Sequence, residues 1–153
     1  MVVPNIMKVC FGNQLCQQLN FAASDTVAVL LPASAFLLRE TAPPVSALRE
    51  AGAALAIATD LNPGTSAVCS MPETIAFACT SYELAPLEAL IYATANPAFV
   101  LGLDDRLGTL EVGKRADVLL LETASFAQVP YRPGHNPAAA TIIGGEQVSP
   151  SSL

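Results

Sequence analysis

The stretch TVAVLLPASAFLLRETAPPVSALREAGAALAIATD, residues 26–60, decides the fold. Val27-Ala28-Val29-Leu30-Leu31 is a continuous apolar run closed by Pro32, the pattern of a strand buried on both faces. Pro43 to Gly52 reads as a helix, with proline at its start, Val45, Leu48 and Ala51 along one face, and Gly52 at the stop position. Ala54 to Thr59 is a second buried strand. Two wholly apolar strands joined by a helix within about 33 residues predict a right-handed βαβ unit, and with it a parallel sheet and an α/β fold.

Downstream, Asp60-Leu61-Asn62-Pro63-Gly64-Thr65-Ser66 is a polar loop. Ser70 and Glu73 have capping-box spacing, and Ile75, Cys79 and Tyr82 follow at helical intervals, so a helix is expected over 71–82. Another begins at Pro86, with Leu87, Leu90 and Ile91 on its buried side and Ala85 as a weak cap. Pro97 should shorten it, a new turn starting at Ala98 to Leu101. Residues 102–117 are turn-rich, Val118 to Leu121 is a third strand and Thr141 to Ile143 a fourth, and the Ser/Pro-rich tail from 147 should fray. Upstream, residues 1–24 have no clear period, although Leu15 and Leu19 allow a short helix. Cys69 and Cys79 lie on or beside an apolar helix face and read as core.

Composition narrows the function classes. Of 153 residues, 52% are hydrophobic and 13% charged, and the formal net charge is −6. With arginines scattered at 39, 49, 106, 115 and 132 and no basic run, neither nucleic acid nor an anionic membrane is an expected partner. No run reaches the ~18 apolar residues of a membrane span, and the first 20 residues lack a secretory pattern. Cys10, Cys16, Cys69 and Cys79 form no C-x-x-C pair or metal-finger spacing, so reduced thiols in the cytoplasm are the default. So few charges on so small a body would leave apolar surface uncovered, which points to a missing partner or missing chain.

Chemistry in parallel α/β architectures gathers on loops leaving the C-terminal ends of strands. Asp60 is the first residue past its strand, and a carboxylate there, followed by Asn62, Gly64 and Thr65, can hold a divalent metal or accept a proton while amide groups position an anionic substrate. Turn-shaping is the commoner role for Asp, Asn, Pro and Gly, and spacing alone favours it about two to one.

Three stretches together resemble imidazolonepropionase, a metal-dependent amidohydrolase: LLPASAFLLRET (30–41), AIATDLNPGTS (56–66) and LGTLEVGKRADVLLLE (107–122). The third, with Gly108, Leu110, Gly113, Lys114, Ala116 and Asp117, is common to many amidohydrolases, whereas the first two are narrower. Glu88-Ala89-Leu90 and Asn136-Pro137 extend the likeness over roughly residues 25–146. The resemblance implies the last strands and helices of a partial (β/α)8 barrel over 25–101, returning strands of a small β-sandwich over 102–146, an atypical segment at 1–24 and a frayed tail at 147–153. It also implies a small-molecule substrate, 4-imidazolone-5-propanoate, whose cyclic amide is hydrolysed to N-formimidoyl-L-glutamate with Zn or Fe. Asp60 matches the family's metal-binding and proton-carrying aspartate, and Asn62, Gly64 and Thr65 match its substrate contacts, with threonine where serine is usual.

Departures from the pattern set the remaining expectations. The family draws its metal mainly from histidines N-terminal to this portion, and the lone His135, in YRPGHNP, reads as a solvated turn residue. A catalytic zinc site takes about three protein ligands and a whole barrel about 250 residues. An incomplete, inactive portion of an enzyme is therefore the leading expectation. Its rivals are a non-catalytic interaction module that buries an open sheet edge against a partner or a second copy, and another amidohydrolase, of dihydroorotase or deaminase type. Ala33 replaces a usual glycine, Ala85 a usual threonine, and Arg39-Glu40 either belongs to the RET motif or forms a surface ion pair.

Overall fold

The computed structural model describes residues 7–10 and 26–148. Strands β1 (Met7–Cys10), β2 (Val27–Leu30) and β3 (Ala54–Ile57) form a parallel sheet in that order. Val27 stands opposite Ala54 and Leu30 opposite Ile57, while Met7 pairs with Val27. All of β2 is buried, as its unbroken apolar run predicts. Alternation sends Ala28, Leu30, Leu55 and Ile57 into one core cluster and Val27, Val29 and Ala56 into another that includes Val100. The sequence pattern predicts no strand within residues 1–24, yet β1 lies there; the short helix read at Leu15 and Leu19 falls outside the described residues.

Pro32 does more than end a strand. It opens α1 (Pro32–Leu37), a helix not anticipated from the sequence, because a residue with fixed φ and no N–H suits the first helical position. Next, α2 (Val45–Glu50) buries Val45 and Leu48 but leaves Ala51 outside as its C-cap, and Gly52 takes the left-handed φ of +74° that stops it. Helix α3 (Met71–Ser81) starts where Ser70 Oγ accepts the Glu73 N–H at 3.2 Å and buries Ile75. Cys79 is half-buried, and burial followed by the nearby charge of Glu88 pushes its thiol up, whereas Cys69 is exposed and not core as expected: it sits ahead of the helix, not on its inner face.

Helix α4 (Pro86–Ala93) is rotated from the expected orientation. Ala89 is fully buried and Leu90 partly so, while Leu87 and Ile91 are 54% and 41% exposed, since the small Ala89 lets the helix approach β3. Its weak Ala85 cap is supported by Glu88, whose carboxylate accepts the Ala85 N–H at 3.0 Å and also pairs with Arg49 at 2.9 Å. The break before α5 (Ala95–Val100) falls at Thr94 and not at Pro97. Proline is accommodated in the first turn, where backbone N–H groups lack helical partners anyway. Asn96 Nδ2 donates to the Leu55 carbonyl at 2.6 Å, tying α5 to the edge strand β3.

The remaining chain builds an antiparallel sheet of β4 (Val118–Leu121), β5 (Ala138–Ile143) and β6 (Glu146–Val148), with the short helix α6 (Gln128–Tyr131) between β4 and β5. The fourth expected strand is thus longer than Thr141 to Ile143, and Gln147 and Val148 are paired with Ile142 and Thr141 instead of frayed. Residues 149–153 lie outside the described part. Among the described residues no helix is long and apolar enough to cross a membrane. Arg39 and Glu40 are exposed and form no ion pair with each other.

The turn-rich segment packs back onto α5 at Gly108. A Cβ there would lie 2.6 Å from Ala98 Cβ and 3.2 Å from both Ala95 Cα and the Thr94 oxygen, and φ is +91°. Gly113, at φ +96°, faces open space. Gly108→Ala should therefore cost at least about 2 kcal/mol in urea unfolding, from strain plus overlap. Gly113→Ala carries the strain alone and should cost clearly less.

Candidate functional site

Because β2 and β3 are parallel neighbours, the segments leaving their C-terminal ends emerge side by side. From β2 comes α1 with Ser34, and from β3 comes Asp60. Asp60 has φ +52°, a left-handed backbone that aspartate tolerates better than most residues. Its Oδ2 accepts the Ser34 hydroxyl at 2.8 Å and lies 3.4 Å from the Thr65 hydroxyl. Oδ1 has no hydrogen bond among the described residues. A hydrogen bond to a charged group contributes about 1.5–3 kcal/mol, enough to offset a left-handed residue.

Asn62 organises the rest of the loop. Its Oδ1 accepts the N–H groups of Gly64 and Thr65 at 2.9 and 2.8 Å, an Asx turn. Its Nδ2 donates to the Asp60 carbonyl at 2.6 Å and to Thr65 Oγ1 at 2.7 Å. Ser66, which is buried, donates to the Thr59 carbonyl at 3.0 Å and closes the loop base, and the Asn62 N–H donates to the Ser66 carbonyl at 2.9 Å. Asp60, Asn62 and Thr65 thus form one network, with Gly64 joined through its N–H. The amide of Asn62 is engaged at both ends inside the loop.

Sequence reasoning missed Ser34. It is the one polar side chain between Thr26 and Arg39, and that isolation in an apolar run was the available signal. His135 stands apart from this network: its Nε2 is 2.5 Å from Glu122 Oε1, with Arg132 3.8 Å from the same oxygen. Cavities of about 540, 460 and 210 Å³ open elsewhere, and none is lined by Asp60, Asn62, Gly64 or Thr65. The largest of these three is an apolar cleft between α3, α4 and β4, lined by Ile75, Leu90 and Leu121 among others.

As donor chemistry, Asp60 Oδ1 suits one position in the shell of a Zn or Fe ion, which take carboxylate oxygen readily. Among the described residues no group of three His, Cys, Asp or Glu could hold a metal. The residues present fit one corner of a metal centre and not the whole.

The acid past the end of β3 belongs to a parallel sheet that a separate antiparallel sheet follows in the chain. The chain belongs to the amidohydrolase family, whose pattern matches residues 8–148. Within it the chain is similar to imidazolonepropionases: that of Rubrobacter xylanophilus is 47% identical over 127 residues, 83% of this chain and 31% of the relative. That of Paracoccus denitrificans is 48% identical over 128 residues, 83% of this chain and 32% of the relative. The chain spans about a third of the length of these curated relatives. Among solved structures, an adenosine deaminase from Xanthomonas campestris with bound zinc superposes with a TM-score of 0.75 at 25% identity, covering 92% of this chain and 36% of that one.

Asn62→Ala should release the loop without unfolding the sheet. Amide hydrogen exchange at Gly64 and Thr65 should rise by about 10–100-fold, consistent with loss of hydrogen bonds worth about 1–3 kcal/mol. Amides of β2 should be unaffected.

Proposed function

We propose that this chain is the acid-bearing portion of an imidazolonepropionase-type amidohydrolase, which opens the cyclic amide of 4-imidazolone-5-propanoate to N-formimidoyl-L-glutamate. One observation carries the reading: a half-buried carboxylate just past β3, held through Oδ2 and with no hydrogen bond to Oδ1 among the described residues, in a chain 47% identical to such an enzyme over 127 residues. In this reading β1-β2-β3 is an arc of a (β/α)8 barrel, and β4-β5-β6 are returning strands of a β-sandwich. The free thiols of Cys69 and Cys79 agree with a reducing, cytoplasmic setting.

Asp60 has two tasks. Its carboxylate would serve as one ligand to Zn or Fe, and Asp60 takes the proton of the attacking water and passes it to the leaving ring nitrogen. The metal, when bound, polarises the ring carbonyl and makes hydroxide available near neutral pH. Gly64 and Thr65 border the approach to Asp60 and meet the substrate, and Asn62 serves that contact by holding their amides in place. Three-ligand chemistry is beyond Asp60 alone, so the 153 residues by themselves are inactive and the remaining ligands come from histidines elsewhere in the complete enzyme.

The test is a hybrid in which residues of this chain replace the matched 127-residue stretch of the Rubrobacter xylanophilus relative. The hybrid should hydrolyse 4-imidazolone-5-propanoate with Zn or Fe, and Asp60→Asn should lower its kcat by about 10²–10⁴-fold, the usual range for loss of a general acid–base group. A folded, metal-loaded hybrid that leaves this substrate intact, or one indifferent to Asp60→Asn, would contradict the proposal.

A further inference from the structure

We propose that Ser34 is a positioning residue for Asp60: by holding one carboxylate oxygen it fixes the direction in which the other is presented to the reacting groups. The inference rests on the ligand and proton-carrier role given to Asp60 above. Ser34 is fully buried, within the first turn of α1, whose start is set by Pro32. Its flanking residues Ala33 and Ala35 are buried as well, so the hydroxyl stands on a packed support with one rotatable bond. A helical serine this deep commonly returns its proton to a backbone carbonyl one turn earlier. Here the hydroxyl instead reaches across 26 residues of sequence to Asp60 Oδ2 at 2.8 Å.

Thr65 is the weaker of the two clamps. Its hydroxyl lies 3.4 Å from Oδ2, sits on the loop, and accepts from Asn62 Nδ2. Ser34 therefore fixes both the direction of the Asp60 side chain and the rotation of its carboxylate, leaving Oδ1 as the presented base. A carboxylate ordered beforehand need not be ordered when it binds a metal or takes a proton, which is the advantage of a preorganised site.

The experiment uses the whole 153-residue chain, isotope-labelled, as wild type, Ser34→Ala and Ser34→Cys. Cysteine nearly preserves the volume and is a poor donor. Three-bond couplings from Asp60 N and C′ to Cγ report its χ1, and line broadening by added Mn²⁺ reports access of a cation to Oδ1, with exposed Asp104 and Asp105 as internal references. Wild type should show one Asp60 rotamer and broadening at the Asp60 and Leu61 amides. Both variants should show averaged couplings, and at least threefold weaker Mn²⁺ broadening at Asp60 relative to Asp104 and Asp105, with β2 chemical shifts retained.

Unchanged couplings in Ser34→Ala, or full recovery of the rotamer by cysteine, would overturn the proposal, since the role would then be packing. If alanine costs the fold, the couplings of the cysteine variant decide the matter by the same criterion. A rotamer that is fixed in wild type and lost in both variants, with no Mn²⁺ effect at Asp60 in any of them, would support Ser34 as the anchor and count against the ligand role of Asp60.

Discussion

The parallel pairing of β2 with β3 is the constraint on which the site depends. With Leu30 opposite Ile57, the two strands end at the same level, and only then can a residue four positions past one strand touch the first acid past the other. The pairing is secured from both faces: Leu30 and Leu55 are wholly buried on one side and Val27 on the other. Burying a Val or Leu side chain contributes about 1.5–3 kcal/mol each. A slip of one residue would turn these side chains to the wrong faces, so the apolar pattern enforces the register and the register delivers Ser34 to Asp60.

Much of this is legible in the sequence because the relevant residues carry local signals. The apolar runs at 27–31 and 54–58 mark buried strands and Ser70 advertises the start of α3, whereas β3 ends at Ile57 and not at Thr59 as its pattern suggests, so Asp60 stands three residues past the strand. The signal fails where a residue has two uses. Pro32 reads as a terminator but is also a helix starter, and Pro97 reads as a breaker although the break falls at Thr94. In α4 the large residues Leu87 and Ile91 suggest the inner face, yet close approach to β3 selects small Ala89. The four residues of β1 lie in a stretch of mixed polarity with no clear period. Ser34 is hidden for a different reason: its importance comes from a residue 26 positions away, and only tertiary structure brings the two together.

In the proposed reading the chain's share of the chemistry is confined to the Asp60 carboxylate and its loop. It supplies one pinned carboxylate and a loop whose amides are held by Asn62, while His135 is committed to Glu122 and the large apolar cleft lies against β4. The chain belongs to the amidohydrolase family and spans about a third of the imidazolonepropionases it resembles, and among the described residues no group of three His, Cys, Asp or Glu could hold a metal.

The most direct measurement is the hydrogen-bond scalar coupling across β2 and β3 in the labelled, deuterated chain. A correlation is expected from the Ala58 amide nitrogen to the Leu30 carbonyl carbon, through the 3.1 Å bond that sets the level of the two strand ends. A correlation from Ala58 to a different carbonyl, or an Ala58 amide that exchanges freely with solvent, would contradict this picture, because Ser34 and Asp60 would then have no fixed reason to meet.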